Sequence, residues 1–99
     1  MYYTIIINLK NINGLIPLHY VCRFCKDLPI VKYLVEQGTD INSQLISGYT
    51  SLMRAVWYNN YKIVKYLLEC GGDIDIKCKY GKNALDFAKF NNTMIIKIL

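Results

Sequence analysis

The stretch Ile30-Val-Lys-Tyr-Leu-Val-Glu-Gln-Gly-Thr-Asp-Ile41 returns as Ile63-Val-Lys-Tyr-Leu-Leu-Glu-Cys-Gly-Gly-Asp-Ile74. Nine of the twelve positions are identical at an offset of 33, which in 99 residues marks an internal repeat. A second landmark follows the same period: an Ile and a Gly seven apart, as Ile7 to Gly14, Ile41 to Gly48 and Ile74 to Gly81. The glycines are 34 and 33 apart. The extra residue of the first unit falls between Cys25 and Pro29, a stretch that reads as a loop because proline is excluded from helix interiors.

Each unit decodes locally. After Gly48, Thr50 is placed to cap a short apolar-periodic run of Leu52, Ala55 and Val56. Asn83 holds the same place before Leu85 and Ala88. Ile16 holds it in the first unit and cannot cap, although Pro17 suits the first helical position. A second run, Ile63, Val64, Leu67 and Leu68, presents one apolar helical face, with Lys62, Lys65 and Glu69 off it. Gly38 and Gly71 then stand where a left-handed C-terminal residue is wanted. The residues from Asp40 to Gly48 and from Asp73 to Gly81 read as extended turns. The unit is helix, loop, helix, extended turn.

Gly14, Ile16-Pro17-Leu18-His19 and the run from Ile30 to Asn42 resemble the ankyrin repeat, whose pattern is Gly-x-Thr-Pro-Leu-His, two small residues, and a Val-rich helix ending Gly-Ala-Asp-Val-Asn. Gly48-Tyr-Thr-Ser-Leu-Met with Gly71-Gly-Asp-Ile-Asp75 matches it again, and Gly81-Lys-Asn-Ala-Leu-Asp86 with Ala88 matches more weakly. The resemblance covers residues 7 to 99 and implies an all-α solenoid of stacked antiparallel helix pairs joined by extended β-turn hairpin loops. The expected organisation is a single domain over 1–99: a remnant of a preceding turn at 1–10, repeats at 11–44 and 45–77, and a partial repeat at 78–99. Ile7 to Gly14 resembles a turn with no helices before it, and Ile95 to Leu99 resembles a second helix that stops without a capping glycine. The expectation is an interior slice of a longer array, since terminal repeats normally carry polar caps.

Composition excludes several classes. At 54% hydrophobic and 19% charged the chain is too apolar for disorder. No apolar run approaches the ~18–20 residues of a membrane span, and Met-Tyr-Tyr-Thr shows no basic region of a secretory signal. An intracellular, reducing compartment is therefore expected, cytoplasmic or nuclear, with Cys22, Cys25, Cys70 and Cys78 as free thiols. Cys22 and Cys25 form a CxxC, but the seven residues between Cys70 and Cys78 exceed zinc-ligand spacing, so no metal or other cofactor is expected.

Catalysis is not expected either. His19 is the sole histidine, and the resemblance gives it a structural role, hydrogen-bonded to backbone beside the helix start. No GxSxG, HExxH, P-loop or GxGxxG pattern is present.

A binding surface is the better candidate. The ninth and tenth residues after each glycine are Arg23-Phe24, Trp57-Tyr58 and Phe90-Asn91, past the inward-packing positions of the first helix. The resemblance implies that this end of the helix and the turn tips (Ile12, Asn13, Leu15; Ile46, Ser47, Tyr49; Lys79, Tyr80, Lys82) line a concave groove. Arg23, Phe24, Tyr49, Trp57, Tyr58, Tyr80, Lys82 and Phe90 are the expected partner-binding residues, because Trp, Tyr and Arg dominate binding hot spots. The expected function is noncatalytic protein–protein interaction, lost in Trp57→Ala without loss of fold. The net charge of +5 and the Lys77, Lys79, Lys82 turn leave a polyanion or nucleic-acid binder as a weaker alternative, to be told by steep salt dependence. A truncated fragment of a longer array without independent activity, self-associating through uncapped ends, is the closer one. Lys32, Lys65 and Lys97 read as the solvated outer face. The AT-rich codon bias suggested by Asn, Ile, Lys and Tyr points by analogy to a large DNA virus or an intracellular bacterium, and so to a host cell.

Overall fold

The computed structural model describes residues 7–25, 27–91 and 93–99, without the side chains of Asn91 and Thr93. Residues 1–6, most of the expected remnant at 1–10, lie outside the described residues. The helices follow the capping chemistry of the sequence. Thr50 Oγ1 accepts the Met53 N–H at 3.2 Å, opening helix α3 (Ser51–Trp57). Asn83 Oδ1 accepts the Asp86 N–H at 3.0 Å while Asp86 Oδ2 accepts the Asn83 N–H at 2.9 Å, a reciprocal box that opens α5 (Ala84–Asn91). Ile16 has no such oxygen. In its place His19 turns back, and its Nδ1 accepts the Ile16 N–H at 3.0 Å at the start of α1 (Pro17–Phe24). His19, Met53 and Asp86 occupy one repeat position, so three chemistries meet the same end of the same helix.

The partners of these helices are α2 (Leu28–Glu36), α4 (Tyr61–Glu69) and α6 (Thr93–Ile98). Pro29 belongs to the first turn of α2, not to the loop before it. Its missing N–H is tolerated there because first-turn amides have no intrahelical acceptor. Helices α1, α3 and α5 pack side by side as an inner row, α2, α4 and α6 as an outer row, and each inner helix packs on its own outer partner. The described residues contain no strand. Between the rows lie Leu18, Val31, Leu52, Val56, Ile63, Val64, Leu67, Ala88 and Ile95, all essentially inaccessible. Each large one contributes roughly 1.5–3 kcal/mol by leaving water. Lys32, Lys62, Lys65, Glu69 and Lys97 are exposed, as their place off the apolar face requires.

A hairpin precedes each inner helix. Its ends are closed by Asn11 N–H to Leu15 O, Leu45 N–H to Tyr49 O and Cys78 N–H to Lys82 O, at 2.9–3.0 Å. Neighbouring hairpins are joined by one backbone rung each, Ile46 N–H to Asn13 O and Lys79 N–H to Ser47 O, both 2.9 Å. Gly48, at φ +86°, lies where a Cβ would come within 2.7 Å of the Lys79 nitrogen and 2.8 Å of the Cys78 Cα. At the other end of each unit an asparagine staples one repeat to the next. Asn8 donates to Gly38 O and accepts from Asp40 N–H; Asn42 does the same with Gly71 O and Asp73 N–H.

All four cysteines are free. Cys22 and Cys78 are buried, Cys25 and Cys70 partly exposed, and burial pushes the Cys22 thiol up to about 12. The thiolate is the nucleophile, so at pH 8 iodoacetamide alkylates Cys22 about three orders of magnitude more slowly than an ordinary thiol. Peptide mass spectrometry of the native chain reads this directly. Cys22 reacting as fast as Cys25 would show that α1 and α3 are not packed as described.

Candidate functional site

The repeat brings the C-terminal ends of α1, α3 and α5 into line, and the residues there touch. Trp57 stands edge-on to Phe87, with centroids 5.9 Å apart, and to Phe90 at 6.4 Å. Tyr49, at the foot of the second hairpin, packs on Phe87 at 5.7 Å. On the other side the Arg23 guanidinium lies 5.7 Å from the Tyr58 ring centroid and 4.7 Å from that of Phe24. A run of aromatic faces and one cation therefore crosses three repeats. The aromatics remain half-open: Trp57 is 48% exposed, Phe24 58% and Phe90 75%.

Two adjoining clefts occupy this surface. The first, of about 330 Å³, is lined by Arg23, Tyr49, Met53, Arg54, Trp57, Tyr58 and Phe87. The second, of about 460 Å³, runs between the first two hairpins and α1, with Tyr20, Phe24, Leu15, Ile46 and Lys79 on its walls. Arg23 and Arg54 border both. Burial lowers the Arg54 pKa, and the neighbouring Arg23 lowers it further, with Tyr58, Cys22 and Tyr49 opposing. Guanidinium groups nevertheless keep their proton in proteins, so the clefts share a cationic wall within an aromatic frame.

Of the residues expected from sequence, Arg23, Tyr49, Trp57 and Tyr58 line the first cleft, Phe24 lines the second, and Phe90 buttresses Trp57. Tyr80 and Lys82 are exposed on the third hairpin and line neither. The side chain of Asn91 lies outside the described residues. Met53, Arg54 and Phe87 are cleft residues that sequence reasoning missed. The signal was present, because Arg54 precedes Trp57 by three and Phe87 precedes Phe90 by three, the spacing that shares a helix face. His19 sits behind this surface, buried and hydrogen-bonded at both ring nitrogens to backbone. Among the described residues, no three His, Cys, Asp or Glu side chains gather as a metal site would require, and no helix is long and apolar enough to cross a membrane.

Comparison with known proteins gives two findings. A family model described as ankyrin repeats (3 copies) matches residues 3–78. A protein of Fowlpox virus (strain NVSL), named as an ankyrin repeat protein, is 42% identical over 38 residues. That similarity covers 38% of this chain and only 7% of the viral protein's length.

Proposed function

Because the chain belongs to the ankyrin-repeat family, whose members generally serve as protein-interaction modules and are typically noncatalytic, we propose that it binds a protein partner at the paired clefts. The observation that carries this reading is the aromatic surface of Tyr49, Trp57, Tyr58, Phe87 and Phe90, left partly open across two repeats and carried into the first by Arg23 and Phe24. Large rings held in place by their neighbours lose little entropy on binding, and such residues carry most of the energy at interfaces. Arg23, Phe24, Tyr49, Trp57, Tyr58 and Phe90 act as the contact residues, with Met53, Arg54 and Phe87 added to them; Tyr80 and Lys82 extend the surface only for a partner that reaches the third hairpin. The single-domain division into 11–44, 45–77 and 78–99 is part of the same proposal. So is a reducing compartment for the four free thiols, and the host cell as the place of action is suggested by the viral relative.

Panning a displayed random dodecapeptide library on the whole chain tests the reading. Enriched peptides, measured by fluorescence anisotropy, should bind Trp57→Ala at least about tenfold more weakly. Thermal unfolding should show that this variant still folds, at a cost of about 2–3 kcal/mol for its two ring contacts and its half-buried indole. Tyr33→Ala, on the exposed face of α2, should bind like the parent. Affinity that ignores Trp57→Ala and responds to Tyr33→Ala would move the site to the outer row and overturn the proposal.

A further inference from the structure

Cations and carboxylates are sorted within this molecule. Arg23, Arg54 and Lys79 border the two clefts. The seven carboxylates of the chain are all elsewhere: Asp27 before α2, Glu36 and Glu69 at the far ends of the outer helices, Asp40, Asp73 and Asp75 on the turns that follow them, and Asp86 in its capping box. None lines either cleft. The largest electrostatic influences on Arg54 come from Arg23, two tyrosines and a buried thiol.

A guanidinium so placed has lost part of its water and gained no anion, which is unfavourable until something supplies one. Arg23 is held with its guanidinium carbon 4.7 Å from the Phe24 ring centroid and 5.7 Å from that of Tyr58. A ring satisfies the positive charge without consuming the N–H groups, which lie in the guanidinium's own plane and form the fork that matches a planar carboxylate. The two arginines stand on the wall common to both clefts, so an anionic group received there has an apolar recess on either side. One recess is framed by Trp57, Phe87 and Tyr49, the other by Tyr20, Phe24 and Ile46.

Building on the reading of this surface as a protein-binding site, we propose that its occupant is an extended acidic segment of a partner protein, in which one Asp or Glu carboxylate is received by Arg23 and Arg54 and the apolar residues flanking it enter the two clefts. Charge complementarity selects the acid, and the enclosing aromatic walls select the apolar neighbours. A nucleic-acid backbone fits less well, because the exposed lysines Lys77, Lys79 and Lys82 cluster on the third hairpin, with only Lys79 reaching a cleft.

The same panning experiment, read by sequence and by the emission of the chain's single tryptophan, Trp57, decides it. Enriched dodecapeptides should share an Asp or Glu flanked by large apolar residues. Changing that acid to its amide should weaken binding about tenfold, the worth of a charge-assisted pair. In Arg23→Gln and Arg54→Gln the acid and amide peptides should bind alike, while Arg54→Lys retains part of the preference. Circular dichroism establishes that each variant is folded, and the exposed Arg23 keeps the test available should Arg54→Gln unfold. Peptides that depend on Trp57 but show no preference for an acid would overturn this inference and leave the binding site standing. No enrichment, or enrichment indifferent to Trp57→Ala, would remove both. A twelve-nucleotide oligo(dT) that quenches Trp57 and displaces the selected peptides would assign the surface to nucleic acid instead.

Discussion

Gly48→Ala lowers the free energy of unfolding by about 3 kcal/mol, and Gly81→Ala by about 1 kcal/mol. The two glycines hold the same place in consecutive hairpins and nearly the same left-handed backbone, at φ +86° and +76°. Any L-residue meets the left-handed cost at either. They differ in what stands beside them. A Cβ at Gly81 meets nothing within 4 Å, whereas one at Gly48 would lie 2.7 Å from the Lys79 nitrogen. That obstacle is backbone, so it cannot swing aside as a side chain would. The third hairpin must retreat, and the rung from Lys79 N–H to Ser47 O lengthens with it. In a domain stable by about 5–15 kcal/mol, the loss is a large part of the total. Urea unfolding followed by far-UV circular dichroism measures both variants. Equal losses would mean that the second and third hairpins do not stack as closely as described.

His19→Ala costs about 3 kcal/mol, because it strands two buried backbone groups at once. Nδ1 accepts the Ile16 N–H, so Nε2 carries the ring proton and donates it to Ser43 O at 2.7 Å. The imidazole thus ties the start of α1 to the turn entering the second unit, 24 residues on. Only the neutral ring can do both. Burial lowers its pKa from 6.5; the Ser43 carbonyl opposes this, Arg54 and Lys10 add to the lowering, and Asp40 opposes. The unfolded chain therefore binds this proton more tightly than the folded one. The stabilisation is complete above about pH 6.5 and is lost as pH falls toward and through the folded value. The melting temperature of the parent should drop between pH 7 and pH 5, and that of His19→Gln should drop less. Parallel curves for the two chains would show that another group sets the acid sensitivity.

What the sequence disclosed and what it withheld divide by range. Thr50, Asn83, Gly38, Gly71 and the fold they punctuate were legible because a cap or a left-handed terminus involves residues within four or five positions. The repeat then carried one local solution to the next unit. The staples of Asn8 and Asn42 were not legible, since each joins groups about thirty residues apart and nothing local distinguishes these asparagines from solvated ones. The cleft residues fall between these cases. Counting from the glycine found Trp57 and Tyr58 but passed over Arg54 and Phe87, because a count along the chain ignores the helical face. Reading the turn tips alike in every unit equates Lys82 with Tyr49 and Tyr80 with Ser47, although a cleft forms between neighbouring units, and the clefts here lie against the first two hairpins and the ends of α1, α3 and α5.

The two long edges of the molecule are fastened by different forces, and this sets how it can deform. Along the hairpin edge each junction has a backbone hydrogen bond, which weakens steeply with distance and angle, and at Gly48 there is no spare room. Along the helix edge the junctions are mostly apolar side chains, whose attraction is non-directional, with the Asn8 and Asn42 staples pinning only the turns that follow α2 and α4. The chain is built like a folding fan, with its ribs gathered on a close-fitting hem, pinned again where the asparagines staple the ends of the outer helices, and held between those points by packing alone. A larger occupant is therefore met by spreading the ribs, at the scale of rotamers, while the hem keeps the spacing of the units fixed.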